Sequence, residues 1–162
     1  MAAVGVTRTD GTSSTWGDWS PAAAVPASCP CQAALSPRDR ERLDGLEPGF
    51  RAKADLLLRL MAMAGHRMVV TAGRRSTAEQ QALYAQGRTA PGPIVTYADG
   101  VRERSKHQDG VAMDCAFVDQ GQGMWDGPWE MYGRFAEGLG LVWGGSWTRL
   151  KDRPHVEVRA GA

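Results

Sequence analysis

In PGFRAKADLLLRLMAMAGH the apolar residues Phe50, Ala54, Leu57, Leu58 and Met61 recur at three- and four-residue spacing, and Gly65 closes the run. This is the period of a helix with one buried face. Ahead of it, SPRDRERLDG offers Ser36 as an N-cap, Pro37 at the first helical position and Gly45 as a stop, which predicts a short helix. RMVVTAG predicts a buried strand. STAEQQALYAQG opens with Ser76 and Glu79 at capping-box spacing and ends at Gly87, predicting a further helix. The segment from Arg88 to Arg104, with Pro91, Gly92, Pro93 and Gly100, predicts a loop on the rim of a cleft, with IVT (94–96) as a short strand inside it.

Farther on, Val111, Met113, Cys115 and Phe117 alternate with Ala112, Asp114 and Ala116. That two-residue period predicts a strand with one apolar face, and it turns Asp114 away from the core. In PWEMYGRFAEGLG, Trp129, Tyr132, Phe135, Ala136 and Leu139 form a helical stripe suited to core packing, and LVWGG and PHVEV read as two closing strands. The sum is an α+β domain, residues 35–162, with helices packed on a small, mainly antiparallel sheet. Residues 1–34 are rich in Ala, Pro, Ser, Thr and Gly with no sustained period, and predict a flexible tail.

Composition narrows the function classes. A chain of 162 residues, 43% hydrophobic and 23% charged, suits one soluble domain with a real core. A net charge of +1 provides no basic footprint for nucleic acid. The most apolar segment, LLLRLMAMAG, is interrupted by Arg59 and falls short of the roughly 18 residues a membrane span needs. The N-terminus lacks a basic region followed by an apolar one, so no secretory signal is expected. Cys29, Cys31 and Cys115 are an odd set, which argues against a disulfide framework or a cysteine zinc knuckle, and parity assigns Cys115 to the core. His66 sits at a helix end, where a dipole contact is its expected role.

The candidate chemistry lies around Asp114. Ala112 and Ala116 share its face, and small neighbours leave room beside a carboxylate that a core would otherwise reject. His107 precedes it by seven residues, and Gly110 permits the sharp path that brings the imidazole back. In KDRPHVEV, His155 and Glu157 share one strand face, opposite Val156 and Val158, so His155 can meet the same cleft while Glu157 reads as a solvated position. Two imidazoles, one carboxylate and an open fourth position suit catalytic zinc, with cobalt or manganese fitting the same donors. Asp152, held by the rigid Arg153-Pro154 turn, can stand beside the metal without ligating it, where a general base belongs.

SKHQDGVAMD fits the pattern S-x-H-x-x-G-x-A-x-D, and DRPHVE the D-x-P-H-x-E end, of the zinc peptidases that include D-alanyl-D-alanine carboxypeptidases and phage L-alanyl-D-glutamate endopeptidases. The chain resembles that family from roughly Leu46 to Val158. GRRSTAEQQALYAQGRT and GLVWGGSW resemble its endolysin branch. The resemblance implies a hedgehog/DD-peptidase-like fold, with His107, Asp114 and His155 binding Zn2+. It makes Asp152 the catalytic acid/base and Arg75 the group that holds substrate or stabilises the oxyanion, with Ser105 and Arg74 as substrate-binding neighbours. Ser146 stands where relatives commonly carry aspartate.

The implied partner is a peptidoglycan stem peptide. The implied action is that of a monomeric bacteriolytic enzyme that accumulates in the host cytoplasm and reaches the cell wall once the membrane is permeabilised. Two other readings remain open: a D-alanyl-D-alanine carboxypeptidase or dipeptidase of the same family, and a zinc-stabilised binding module without catalysis. Trp16 and Trp19 would offer the tail a contact with the wall.

Overall fold

Ser36 opens α1 (Pro37–Asp44) with a reciprocal cap: its hydroxyl accepts from Asp39 N–H at 3.1 Å, and the Asp39 carboxylate accepts from Ser36 N–H at 3.0 Å. The same carboxylate accepts from Val70 N–H at 2.7 Å, and Arg42 donates to the Val70 carbonyl. Two α1 side chains thereby satisfy the outward backbone groups of Val70, in the middle of β1 (Met68–Ala72), an edge strand. Covering an edge in this way blocks its pairing with another chain. The computed structural model describes residues 35–118 and 125–159; the expected tail, with Trp16, Trp19, Cys29 and Cys31, lies outside the described residues.

The stripe expected on α2 (Pro48–Met63) is its buried face: Phe50, Ala54, Leu57, Leu58 and Met61. Glu47 caps this helix, accepting from Gly49 and Phe50 N–H. The capping box of Ser76 and Glu79 starts α3 (Thr77–Ala85) as predicted. β2 (Ala112–Phe117), α4 (Trp129–Gly138), β3 (Leu141–Trp143) and β4 (His155–Val158) complete the order. The four strands run β1-β2-β4-β3, every neighbouring pair antiparallel. Met113, Cys115, Val70 and Val156 join α2 and the Tyr132, Ala136 side of α4 in one core. The expected α+β class, small antiparallel sheet and packed helices, is the observed one.

Three local differences matter. Residues 94–96 form no strand; Thr96 is instead tied to Gln80 Nε2 through its hydroxyl, so a side-chain tether replaces a ladder. LVWGG remains extended only to Trp143 and then tightens into a 3-10 turn at Gly144–Ser146. Ala112 and Ala116 are as buried as the apolar-face residues, so β2 is covered on both faces and Asp114 is its half-buried exception. His66 closes α2 through its backbone N–H to Met61, and its ring stands edge-on to Phe117.

Register positions the chemistry. Asp114 pairs with His155 across β2 and β4, and with Ala72 across β2 and β1 beyond a bulge. The turn before β2, closed by Gly110 N–H to His107 O at 3.2 Å, presents His107 to the same place. Gly110 has φ +72°, and a side chain there would press on Gly45 and Leu46 backbone, so the turn needs glycine.

Candidate metal centre and cleft

His107 and His155 are almost fully buried and fixed by hydrogen bonds on their outer nitrogens. His107 Nδ1 lies 2.8 Å from the Gly73 carbonyl, an acceptor only, so that nitrogen carries the proton. His155 Nε2 lies 3.1 Å from Glu157 Oε2 and donates to it. This leaves His107 Nε2 and His155 Nδ1 facing each other at 3.2 Å, with Asp114 Oδ1 3.3 Å from the first and 2.9 Å from the second. Three lone pairs at such separations repel unless a cation lies among them. A proton or a metal ion meets that need, and all three ligand atoms lie within 4.8 Å of one another, close enough to share one ion.

The electrostatics agree. Burial alone would raise Asp114, but hydrogen bonds and charge from His107 and His155 hold it well below the ordinary carboxylate range. Burial alone would depress His155, yet its bonds to Asp114 and Glu157 raise it to about 9.

Asp152 sits on the turn entering β4. Its N–H donates to Gly144 O at 3.0 Å and its carbonyl accepts from His155 N–H at 3.2 Å. Burial, then the charge of Asp114, pushes its carboxyl above the usual value, while His155, His107 and Arg75 act in the opposite sense. Trp143 pins the same turn, its indole N–H donating to Arg153 O at 2.8 Å. The indole packs so closely against Gly133 and Gly145 that a methyl at either would collide with it. Arg75 reaches from the other wall: Nη2 lies 3.7 Å from Asp114 Oδ2, and Nη1 donates to Gln80 Oε1 at 2.8 Å. The three candidate ligands, Asp152 and Arg75 line one cleft of about 820 Å³.

Residues 98–158 match the family profile described as D-alanyl-D-alanine carboxypeptidase. Over 124 residues the chain is 40% identical to the peptidoglycan L-alanyl-D-glutamate endopeptidase CwlK of Bacillus subtilis (strain 168), covering 70% of this chain and 73% of that protein. The chain belongs to the D-alanyl-D-alanine carboxypeptidase family of zinc peptidases. Its fold is similar to the crystal structure of the L-Ala D-Glu endopeptidase ChiX of Serratia marcescens, with TM-score 0.53, 25% identity and coverage of 77% of this chain and 89% of that one. It is also similar in fold to the LD-carboxypeptidase LdcB, with TM-score 0.55, 12% identity and coverage of 70% and 58%. Zinc is the cofactor of this family, and the donor set of two neutral imidazoles and a carboxylate fits it.

The remaining expected residues of the peptidase fall in different places. Ser105 lines the cleft, its N–H bonded to Gln108 Oε1 at 2.9 Å in the turn that carries His107. Arg74 does not line the cleft: it is exposed on the α1 side near Arg38 and Glu41, whereas Arg75 is held in the cleft by Gln80. Ser146 also lines the cleft, and its hydroxyl closes the 3-10 turn on Trp143 O at 2.7 Å. Glu157 is no solvated position, since it orients His155.

Two buried glutamines escaped the sequence reading. Gln80 joins Arg75 to Ala98 O, at 2.9 Å, and Gln108 joins the His107 turn to Gly100 O, also at 2.9 Å. The available signal for Gln80 was its place on the inward side of an otherwise weakly apolar α3.

Proposed function

We propose that this peptidase cleaves the L-alanyl–D-glutamate bond of peptidoglycan stem peptides. The observation that carries the reading is the convergence of His107, Asp114 and His155 beside Asp152 in one cleft, together with the likeness to CwlK and ChiX. His107 Nε2, His155 Nδ1 and Asp114 Oδ1 would hold the zinc, which when bound supplies Lewis-acid polarisation of the scissile carbonyl and lowers the pKa of its water to about 7.

The rest belongs to the chain. Asp152 takes the proton of the attacking water and returns it to the leaving amine, a service worth roughly a hundred- to ten-thousand-fold. Its raised pKa makes the carboxylate a stronger base for the water proton, and a pKa nearer the working pH balances taking that proton against returning it. Arg75, held by Gln80, offers its remaining N–H groups to the developing oxyanion or to a substrate carboxylate. Ser105 borders the substrate, and Arg74, outside the cleft lining, is the less favoured of the two expected binding neighbours.

Residues 35–162 are the catalytic unit of this reading and 1–34 its tail, in keeping with a family match that reaches Val158 and, among the described residues, a first helix at Pro37. The protein acts as a monomeric endolysin, waiting in the host cytoplasm and reaching the wall after membrane permeabilisation. Support comes from the endolysin-like run EQQALYAQGRT. No helix among the described residues is long and apolar enough to cross a membrane.

Digestion of purified peptidoglycan tests the bond. New N-terminal D-glutamate is expected, and free D-alanine as the main product would reverse the assignment in favour of a carboxypeptidase. The position of Asp152 in the cleft favours catalysis over a zinc-stabilised binding module.

A further inference from the structure

Two loops face each other across the cleft. One is the rim segment around Tyr97, anchored from beneath by Gln80 through Thr96 Oγ1 and Ala98 O. The other joins the 3-10 turn to β4 and carries Arg149. The Arg149 guanidinium stands 5.6 Å from the centre of the Tyr97 ring, and both residues line the cavity that holds the metal ligands. Among the described residues this cation–π contact links Arg149 to the opposite wall.

The other guanidiniums of the cleft are engaged. Arg75 bonds Gln80 and lies beside Asp114, and Arg104 donates to Asp109 at 2.8 Å. Arg149 has no carboxylate within ion-pair distance among the described residues. Among the acids that line the same cavity, Asp114 and Glu157 are taken by the histidines, and neither Glu103 nor Asp152 is in ion-pair contact with Arg149. An aromatic face supports a guanidinium without occupying its in-plane N–H groups, which then match the two oxygens of a carboxylate. Tyr97 is 54% exposed, so the pair is reachable by a peptide lying in the cleft.

We propose that Arg149, steadied by Tyr97, is a specificity-determining residue that binds the free α-carboxylate of the substrate's D-glutamyl residue and discriminates against stem peptides in which that group is amidated. The inference rests on the peptidoglycan reading above and deepens it. A primary amide carries no charge and turns an NH2 donor toward the guanidinium donors, so one charge-assisted pair is lost.

The test uses the zinc-loaded full chain and two synthetic peptides, L-Ala-γ-D-Glu-L-Lys and its α-amide counterpart. Wild-type protein should favour the acid by about tenfold in kcat/KM, carried by KM, the scale of one hydrogen bond to a charged group. Arg149→Gln should bring the acid-to-amide ratio near unity, Tyr97→Ala should lower it partway, and Tyr97→Phe should preserve it. Zinc content and melting temperature, measured on each variant, establish that the changes are not losses of fold. A wild-type ratio near unity, or an Arg149→Gln ratio equal to wild type, overturns the inference while leaving the proposed bond cleavage standing. Failure of the wild type to cleave either peptide overturns both.

Discussion

Replacing Gly144 with alanine asks how rigidly the turn before β4 is set. An added methyl would lie 2.5 Å from the Asp152 carbonyl oxygen, 3.1 Å from His155 Cβ and 3.2 Å from Asp152 Cβ. An ordinary carbon–oxygen contact is about 3.4 Å, so the turn must retreat by roughly 1 Å. The obstructing atom is backbone, not the tip of a flexible side chain, and the Gly144 carbonyl already holds Asp152 N–H. Asp152 and His155 therefore move together. Overpacking of this kind costs about 1–3 kcal/mol in stability. A displacement of about 1 Å at a reacting group costs on the order of a hundredfold in rate.

The measurements are kcat/KM on a stem peptide, zinc affinity by chelator competition, and thermal unfolding. Gly144→Ala should lose on all three. Gly138→Ala is the control: a methyl there meets nothing within 4 Å, so the helix should be unchanged or slightly firmer. A Gly144→Ala enzyme within twofold of wild type in activity and zinc affinity would show that this turn does not position the site.

Asp152→Asn should retain zinc and the wild-type melting temperature to within a few degrees, yet lose at least a hundredfold in kcat/KM, the usual scale for a positioned acid/base; undiminished wall lysis would remove the role given to it. Glu157→Gln should weaken zinc binding about 10- to 100-fold by loosening the His155 tautomer, read by competition with a fluorescent chelator, and equal affinity would contradict the orienting bond. In zinc-stripped protein the His155 pKa, raised from 6.5 to about 9, stabilises the fold fully below 6.5 and progressively less as pH rises through 9. The depressed Asp114 contributes above its ordinary 3.8 and is lost as pH falls below that value. The stripped protein should thus melt highest between about pH 4 and 6.5 and fall toward pH 9, by calorimetry. A flat or rising profile over the alkaline half would mean that no proton bridges His155 and Asp114.

Periodicity located the buried face of α2 and the strand carrying Asp114, and capping residues located the starts of α1 and α3, because these depend on neighbours three to four residues away or on strict alternation. Spacing and residue type also singled out His107, Asp114, His155 and Asp152, since few side chains provide such donors and glycine and proline restrict the chain between them. What the sequence could not decide was set by partners distant along the chain. Gly73 and Glu157 select which nitrogen each histidine turns inward. Gln80 directs Arg75, not Arg74, into the cleft and replaces the expected 94–96 strand with a tethered loop. Local pattern determines which face a residue takes; only packing determines which atom it meets there, because a buried polar group accepts whichever distant partner the fold brings within hydrogen-bond reach.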